Sequence, residues 1–205
     1  MTEPAPVTVL AFDTAAPHCA AAVLSDGQLV AHAEEPMQKG QAERLMSLCD
    51  DLLKSADLSF GALTAIGVGI GPGNFTGIRI SVAAARGLAL GLGVPAVGVS
   101  SFEALRYGHD GPCATAITAR REQLYYQRFD GTDAEAPILV PTQDLPRHAG
   151  PLFGATGRAP AFPIAEAIAR LAADRYKATT ERPAPLYLRP ADAAPARDAP
   201  PVILP

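Results

Sequence analysis

Short apolar runs and two amphipathic segments alternate along the first half of the chain. Three of the runs are separated by turns, among them the tight-turn sequence Ser25-Asp26-Gly27, and they predict three strands of an antiparallel meander. Two longer segments place apolar residues at helical spacing, the first with charged side chains on its opposite face. We predict strands at residues 7–12, 19–24, 29–33, 65–70 and 94–99 and helices at 41–56 and 77–91, in the order β-β-β-α-β-α-β.

The second half of the chain begins the same pattern again. Asp130-Gly131 separates its second and third apolar runs, as Asp26-Gly27 does in the first half, which indicates a faint internal duplication. We predict a short helix at 101–107, strands at 114–118, 124–129 and 138–140, and a helix at 163–176.

The two halves predict an α/β protein with two lobes. We place the first lobe at residues 1–100, a shorter second lobe at 101–189, and a flexible Pro- and Ala-rich tail at 190–205. Two β-β-β-α-β-α units side by side, the second reduced, resemble the actin-like (ASKHA, ribonuclease H-like) fold of sugar kinases, Hsp70 and actin. That resemblance implies a cleft between the lobes where a nucleotide binds.

Composition narrows the class of protein. The chain has 205 residues, of which 48% are hydrophobic, and a formal charge of −4, which argues against a large electrostatic footprint for nucleic acid. Its three widely spaced cysteines predict reduced, packed thiols. It has no signal-peptide pattern and no run near the ~18–20 apolar residues of a membrane span, so we expect a cytoplasmic protein without membrane contact.

A glycine-rich loop, residues 71–77, joins the strand at 65–70 to the helix that follows. A glycine turn at a helix N-terminus can bind an anion, with Thr76 as the expected N-cap, or it can simply let strand and helix pack closely. It is not a Walker A loop, because no Lys-Ser or Lys-Thr follows the glycines. It is not a dinucleotide fingerprint either, because Pro72 lies inside it and no acidic residue lies about 20 residues on.

Few residues are suited to catalysis. Asp13 and Thr14, at the end of the first strand, and Gly71 and Gly73, in the loop, are weak candidates for nucleotide contact, and Asp13 alone is expected to bond the turn backbone. Thr118 is the second-half counterpart of Asp13 and cannot ligate a metal as a carboxylate does. We therefore expect no catalytic residues, bound metal or cofactor of its own, with an active ATPase or phosphotransferase and a peptidase as the alternatives.

The four histidines are isolated along the sequence. No pair of them has the spacing that places two imidazoles on one helix face. We therefore expect surface or capping roles for His18, His32, His109 and His148.

The complete residue sequence of the loop is a more specific family signal than its glycine pattern. Gly71-Pro-Gly-Asn-Phe-Thr-Gly-Ile-Arg-Ile80 closely resembles the TsaB (YeaZ) family signature GPGSFTGLRIG. Weaker matches to that family are Phe12-Asp-Thr-Ala15, Gln41-Ala-Glu-Arg-Leu-Met46, Val97-Gly-Val-Ser-Ser101, Ala119-Arg-Arg-Glu-Gln-Leu-Tyr125 and Tyr187-Leu-Arg189. This chain departs from the family pattern at three positions. Gly40 stands where many members have a histidine, Asn74 where they usually have serine, and Thr118 where they usually have aspartate.

The resemblance implies a non-catalytic scaffold or activator. Family members are degenerate paralogues of TsaD and pair with TsaD and TsaE for N6-threonylcarbamoylation of adenosine 37 in tRNAs that read ANN codons. ATP and metal are then expected on TsaD and TsaE, and tRNA is contacted mainly through the complex. A homodimer of the isolated chain is compatible with this.

Pairing in the family uses the two helices of the first lobe. Small residues of the helix at 77–91 permit close helix approach, and one of its faces mixes charge with apolar surface as interfaces do. The interface prediction comprises Gln41, Arg44, Leu45, Leu48, Arg79, Ala83, Arg86 and Leu90.

Overall fold

The computed structural model of the chain describes residues 6–188 and contains every helix and strand predicted within them. The strands are β1 Thr8–Asp13, β2 His18–Ser25, β3 Gln28–Pro36, β4 Ala65–Gly69, β5 Ala96–Val99, β6 Cys113–Thr118, β7 Gln123–Asp130, β8 Asp133–Ala134, β9 Ile138–Pro141 and β10 Leu152–Gly154. The helices are α1 Gln41–Ser55, α2 Phe75–Leu92, α3 Ser101–Arg106 and α4 Ile164–Arg175, with short 3-10 helices at Phe60–Ala62 and Thr142–Asp144. The sequence analysis missed β8, β10 and both 3-10 helices.

The first sheet has the strand order β3-β2-β1-β4-β5. Strands β1, β2 and β3 form the predicted antiparallel meander, and β4 and β5 join it in parallel. The central strand β1 is covered on both faces: Leu10 and Phe12 pack with α1 and α2, whereas Val9 and Ala11 pack with α4. A strand buried on both faces has no need of polar alternation, which explains its continuous apolar run.

The second sheet reproduces the core of the first with fewer helices. Its order is β10-β6-β7-β8, and β9 also pairs with β7. Strands β9, β7, β6 and β10 therefore correspond to β3, β2, β1 and β4, including the parallel pairing of β10 with β6. This correspondence confirms the internal duplication, and the 3-10 helix Thr142–Asp144 follows β9 in chain order as α1 follows β3.

Helix α4 belongs to the range predicted for the second lobe, yet it packs on the first sheet. Ile168 and Ala172 lie against Gly67 of β4, and a Cβ at Gly67 would lie 3.1 and 3.0 Å from their side chains. Glu166 pairs with Arg170 at 2.7 Å, and Arg170 also donates to the carbonyl of Gly27 at 3.1 Å. The chain thus returns to the first lobe, and the domain boundaries at residues 100 and 189 stay a prediction.

Residues 179–188, here called the strap, follow α4 and run back across the first lobe. Pro183 lies against Gly98 of β5, and the amide of Leu186 donates to the carbonyl of Ile70 at 2.8 Å. The side chain of Leu186 also packs with Phe102 and Phe129, so the strap contacts both lobes. The predicted flexible tail at 190–205 lies outside the described residues.

We expect Ile168→Ala to lower the free energy of unfolding by about 2–5 kcal/mol, because it leaves a cavity between α4 and the first sheet. Ile168 is 0% exposed, whereas Ile138 on β9 is 44% exposed and provides the matched control. Urea unfolding of Ile138→Ala should change the free energy by less than about 1 kcal/mol. Similar losses for the two variants would contradict the placement of α4 in the first-lobe core.

Candidate functional site

Three glycines bring the loop and α2 into contact with the turn after β1. Gly69 lies against the side chain of Asp13, Gly73 against the carbonyl of Ala15, and Gly77 against the carbonyl of Thr14. A Cβ at any of the three glycines would overlap those atoms. The close-packing interpretation of the glycines therefore accounts for all three positions.

Hydrogen bonds also join the loop and α2 to the turn after β1. The amide of Asn74 donates to the carbonyl of Ala15 at 2.6 Å, and the hydroxyl of Thr14 donates to the carbonyl of Gly77 at 2.6 Å. The side-chain oxygen of Asn74 accepts from the amides of Thr76 and Gly77, both at 3.0 Å. Two of the N-terminal amides that an anion would need, those of Thr76 and Gly77, therefore already have an acceptor within the chain.

The N-cap prediction is wrong by two residues. Helix α2 begins at Phe75, so Thr76 lies inside its first turn and Asn74 is the N-cap. The physical reason is that Asn74 has extended backbone and an acceptor side chain, which together satisfy the first free amides.

Gly71 has a structural role in the loop. Its φ of +89° is a left-handed conformation, and a Cβ would lie 2.5 Å from the Cδ1 atom of Ile78. Its carbonyl accepts from the amide of Ser101 at 2.8 Å, which ties the loop to α3. The loop is thus held from both sides.

A buried ion pair occupies the end of β1. The Oδ2 atom of Asp13 accepts from the amide of Ala15 at 3.0 Å and lies 2.8 Å from Nε2 of His18. The other ring nitrogen of His18 lies 3.4 Å from Glu34. The prediction that Asp13 bonds the turn backbone is confirmed, whereas the surface or capping role expected for His18 is wrong, since its side chain is 13% exposed and paired.

The surroundings of His18 favour its charged form. Burial lowers the pKa of His18, but the hydrogen bond to Asp13 and the charges of Asp13 and Glu34 outweigh it and raise the pKa above the ordinary 6.5. The other oxygen of Asp13, Oδ1, is buried and has no hydrogen-bond partner among the described residues. Within residues 6–188, no group of three or more His, Cys, Asp or Glu side chains is placed to hold a metal.

The cysteines are free and buried, as predicted. Burial raises the pKa of Cys19 to about 11 and that of Cys49 to about 12, so both remain thiols near neutral pH. Burial also raises the pKa of Cys113. A protonated, buried thiol is a poor nucleophile, and these residues serve packing.

Helix α2 presents an exposed outer face. The four residues predicted on it, Arg79, Ala83, Arg86 and Leu90, are all exposed, and Leu90 is 80% exposed. The sequence analysis expected no segment of membrane-span length, but by length and composition alone α2 could cross a membrane, the one such helix among residues 6–188, and 28% of it is buried in the protein. Its inward residues, Ile78, Val82 and Ala85, belong to the first-lobe core.

The predicted contribution of α1 needs correction. Leu45 and Leu48 are 1% and 2% exposed, because they point into the first-lobe core, so their side chains do not reach the surface of this chain. Gln41 donates to the carbonyl of Met37 at 2.9 Å. Arg44 forms ion pairs with Glu35 at 2.7 Å and Asp51 at 3.0 Å. Whether the remaining residues contact a partner stays a prediction.

The sequence analysis missed an aromatic cluster beside the outer face. The guanidinium of Arg79 lies 3.9 Å from the ring centre of Phe75 and donates to the hydroxyl of Tyr187 at 2.9 Å. Phe75 and Tyr187 are 40% and 42% exposed. Arg79 and Tyr187 are 108 residues apart in the sequence, so no local pattern indicated this contact.

Two cavities lie away from the β1 turn. One, of about 560 Å³, lies between α3, α4 and β7 and is lined in part by Arg106, His109 and Arg175. The other, of about 460 Å³, lies between the C-terminal half of α2 and the strap. Neither is lined by Asp13, Thr14, Gly71 or Gly73, the four weak candidates for nucleotide contact.

Known proteins share this architecture and sequence. The TsaB protein of Escherichia coli, a tRNA threonylcarbamoyladenosine biosynthesis protein, is 35% identical over 146 residues, which cover 65% of this chain and 62% of TsaB. An uncharacterised Mycobacterium tuberculosis protein is 35% identical over 199 residues, covering 92% of this chain and 94% of that protein. A family model described as TsaD, tRNA N6-adenosine threonylcarbamoyltransferase, matches residues 35–185. This chain belongs to the TsaB (YeaZ) family.

The solved structure of YeaZ from Pseudomonas aeruginosa agrees with this membership. It is 27% identical, with a TM-score of 0.74, and the match covers 89% of this chain and 100% of that one. The predicted α/β actin-like fold is thereby confirmed. The match to E. coli TsaB nevertheless spans less than two thirds of that relative's length.

Gly77→Ala tests the close contact in this TsaB-family chain. The added methyl would overlap the carbonyl of Thr14, so we expect the free energy of unfolding to fall by about 1–3 kcal/mol. Gly87, on the same helix, has no atom within 4 Å of an added Cβ, so Gly87→Ala should stabilise by about 0.5–1 kcal/mol. Chemical denaturation of both variants checks the opposite signs, and equal effects would refute the contact.

A second prediction concerns pH. Because the folded-state pKa of His18 is raised, the stabilisation is fully present below its unfolded-state pKa of about 6.5 and is lost as the pH rises through the folded-state value. We expect the free energy of unfolding of the unmodified chain, minus that of His18→Gln, to fall as the pH rises from about 6.5 through the folded-state pKa of His18. Urea unfolding at a series of pH values measures it, and a difference that stays constant or rises would contradict the ion pair.

Proposed function

We propose that this chain is a non-catalytic scaffold or activator subunit that pairs with TsaD, and with TsaE, for N6-threonylcarbamoylation of adenosine 37 in tRNAs that read ANN codons. Membership of the TsaB family and the name of the E. coli relative support the pathway. The proposal for the partners comes from the resemblance of the loop and helix motifs.

The exposed outer face of α2 is the observation that carries the proposal. Leu90, near the C-terminal end of the helix, is 80% exposed, and Ala83 and Gly87 on the same side of α2 are small and exposed. A helix face that combines apolar residues with arginines has the composition of a protein interface. Small side chains at Ala83 and Gly87 would let a partner helix approach closely.

The hydrogen bonds and the ion pair at the turn after β1 support a non-catalytic role. The N-terminal amides of α2 are capped by Asn74, and the Asp13 carboxylate is paired with His18. A phosphate bound to the amides of Thr76 and Gly77 would have to displace the side chain of Asn74. In the second lobe, Thr118 ends β6 where Asp13 ends β1.

The remaining roles are assigned to the partners. ATP and metal would be bound by TsaD and TsaE, and tRNA would be contacted mainly through the complex, in keeping with the net charge of −4. We place the complex in the cytoplasm. A homodimer of the isolated chain is compatible with this proposal.

A dropout reconstitution tests the proposal. TsaC, TsaD, TsaE, tRNA, threonine, bicarbonate and ATP are combined with and without this chain, and threonylcarbamoyladenosine in the tRNA is measured by mass spectrometry. The proposal expects product only when the chain is present. Unchanged product without it would refute the scaffold role, and ATP hydrolysis by the chain alone that is lost in Asp13→Asn would favour an enzyme instead.

Ala83→Glu should lower product formation at least about tenfold at limiting partner concentration, because a charged side chain would be buried in the interface. Ala149→Glu, at an exposed residue of the second lobe, is the matched control and should retain activity. Asp13→Asn should have little effect on product formation by the folded protein. Equal activity of Ala83→Glu and Ala149→Glu would show that this face is not used.

A further inference from the structure

The outer face of α2 is extended by the strap. Between the C-terminal half of α2 and strap residues 179–183 lies the groove of about 460 Å³, with Leu90 and Val94 on the helix side. At the other end of α2, Tyr187 of the strap stacks with Phe75, their ring centres 5.0 Å apart. The docking face thus consists of a helix and an extended segment beside it.

Three arginines of this face have no carboxylate partner among residues 6–188. Arg79 stacks on Phe75 and bonds the hydroxyl of Tyr187, while Arg86 and Arg182 line the groove. All three are exposed, and none forms an ion pair within the described residues. The one carboxylate that lines the groove is Glu181. The face is therefore cationic on a chain whose net charge is −4.

The neighbouring helix α1 offers these arginines little compensation. Asp50 is paired with Lys54 at 2.6 Å and Asp51 with Arg44 at 3.0 Å. Glu43 is the remaining exposed acidic residue of α1. A second copy of the chain would therefore present mostly paired carboxylates along α1.

A symmetric pair of copies on this face would bring like charges together. A twofold interface uses the same patch on both subunits, so six arginines would meet with two glutamates from the groove. Like-charge juxtaposition disfavours such a pairing and selects against the wrong partner. The complementary partner has an apolar centre and carboxylates at its margin.

We infer that the face formed by α2 and the strap binds a helical surface of the transferase subunit that is apolar at its centre and acidic at its margin. This inference rests on the proposed function, because it specifies the chemistry of that partner. Leu90 and the groove receive the apolar centre, and Arg79, Arg86 and Arg182 pair with the marginal carboxylates. Tyr187 holds the Arg79 guanidinium in place before binding, which lowers the entropic cost of fixing it.

A triple charge reversal tests the inference. Arg79→Glu, Arg86→Glu and Arg182→Glu are combined in the full chain, and Kd for the purified TsaD subunit of the same organism is measured by calorimetry. We expect Kd to rise at least about 30-fold at low salt, and the difference to shrink as salt screens the charges. The control combines Arg120→Glu, Arg147→Glu and Arg158→Glu, three exposed arginines of the second lobe with the same total charge change. Its Kd should stay within about threefold of the unmodified chain.

A measurement of self-association distinguishes a second copy of the chain from TsaD as the occupant of this face. Sedimentation velocity of the chain alone should show that the triple reversal on the α2 face does not weaken any self-association. If the reversal abolishes self-association and leaves TsaD binding unchanged, the face belongs to a second copy and the inference is overturned. Equal weakening of TsaD binding by both triple variants would also overturn it, because net charge alone would explain the effect.

Failure of the proposed function gives a different result. If the unmodified chain does not bind TsaD and does not support product formation, the scaffold role itself fails. If it binds TsaD and the α2-face reversal binds equally well, the scaffold role stands and the acidic-partner inference fails. Circular dichroism confirms that each variant is folded, which is expected because all six arginines are exposed.

Discussion

The close approach of the glycine loop to the end of β1 determines how the rest of the first lobe is arranged. Gly73 and Gly77 have no side chain, so the carbonyls of Ala15 and Thr14 can lie directly against them. This contact sets the position of α2 above the sheet, and hydrogen bonds through Asn74 and Thr14 hold it there. The inner side of α2 is thereby fixed in the core, and its outer side is left for other contacts.

The same contact places side chains of the protein itself, Asn74 and His18, against the turn after β1. An anion site at a helix N-terminus needs free amides, and Asn74 accepts from two of them. A carboxylate that could act on a phosphate or metal is engaged by His18. These contacts join β1, the loop and α2 to one another at this turn.

Two segments distant in sequence complete the first lobe. Helix α4 covers the sheet face opposite α1 and α2, which keeps β1 buried on both sides. The strap then runs along α2 and β5 and places Tyr187 beside Arg79. The lobe is therefore not built from its own half of the chain alone, and its exposed face combines residues of α2 with residues near the C-terminal end of the described sequence.

The sequence determined the order of the longer strands and helices, the duplication and the family, because these depend on local periodicity and on one long motif. It could not place Leu45 and Leu48 in the core rather than the interface, since helical spacing shows that a face is apolar but not what covers it. The Asp13–His18 pair and the Arg79–Tyr187 contact also required the tertiary structure. The first contact crosses a turn and the second joins residues 108 positions apart, and the folding of the chain decides which of these polar groups meet.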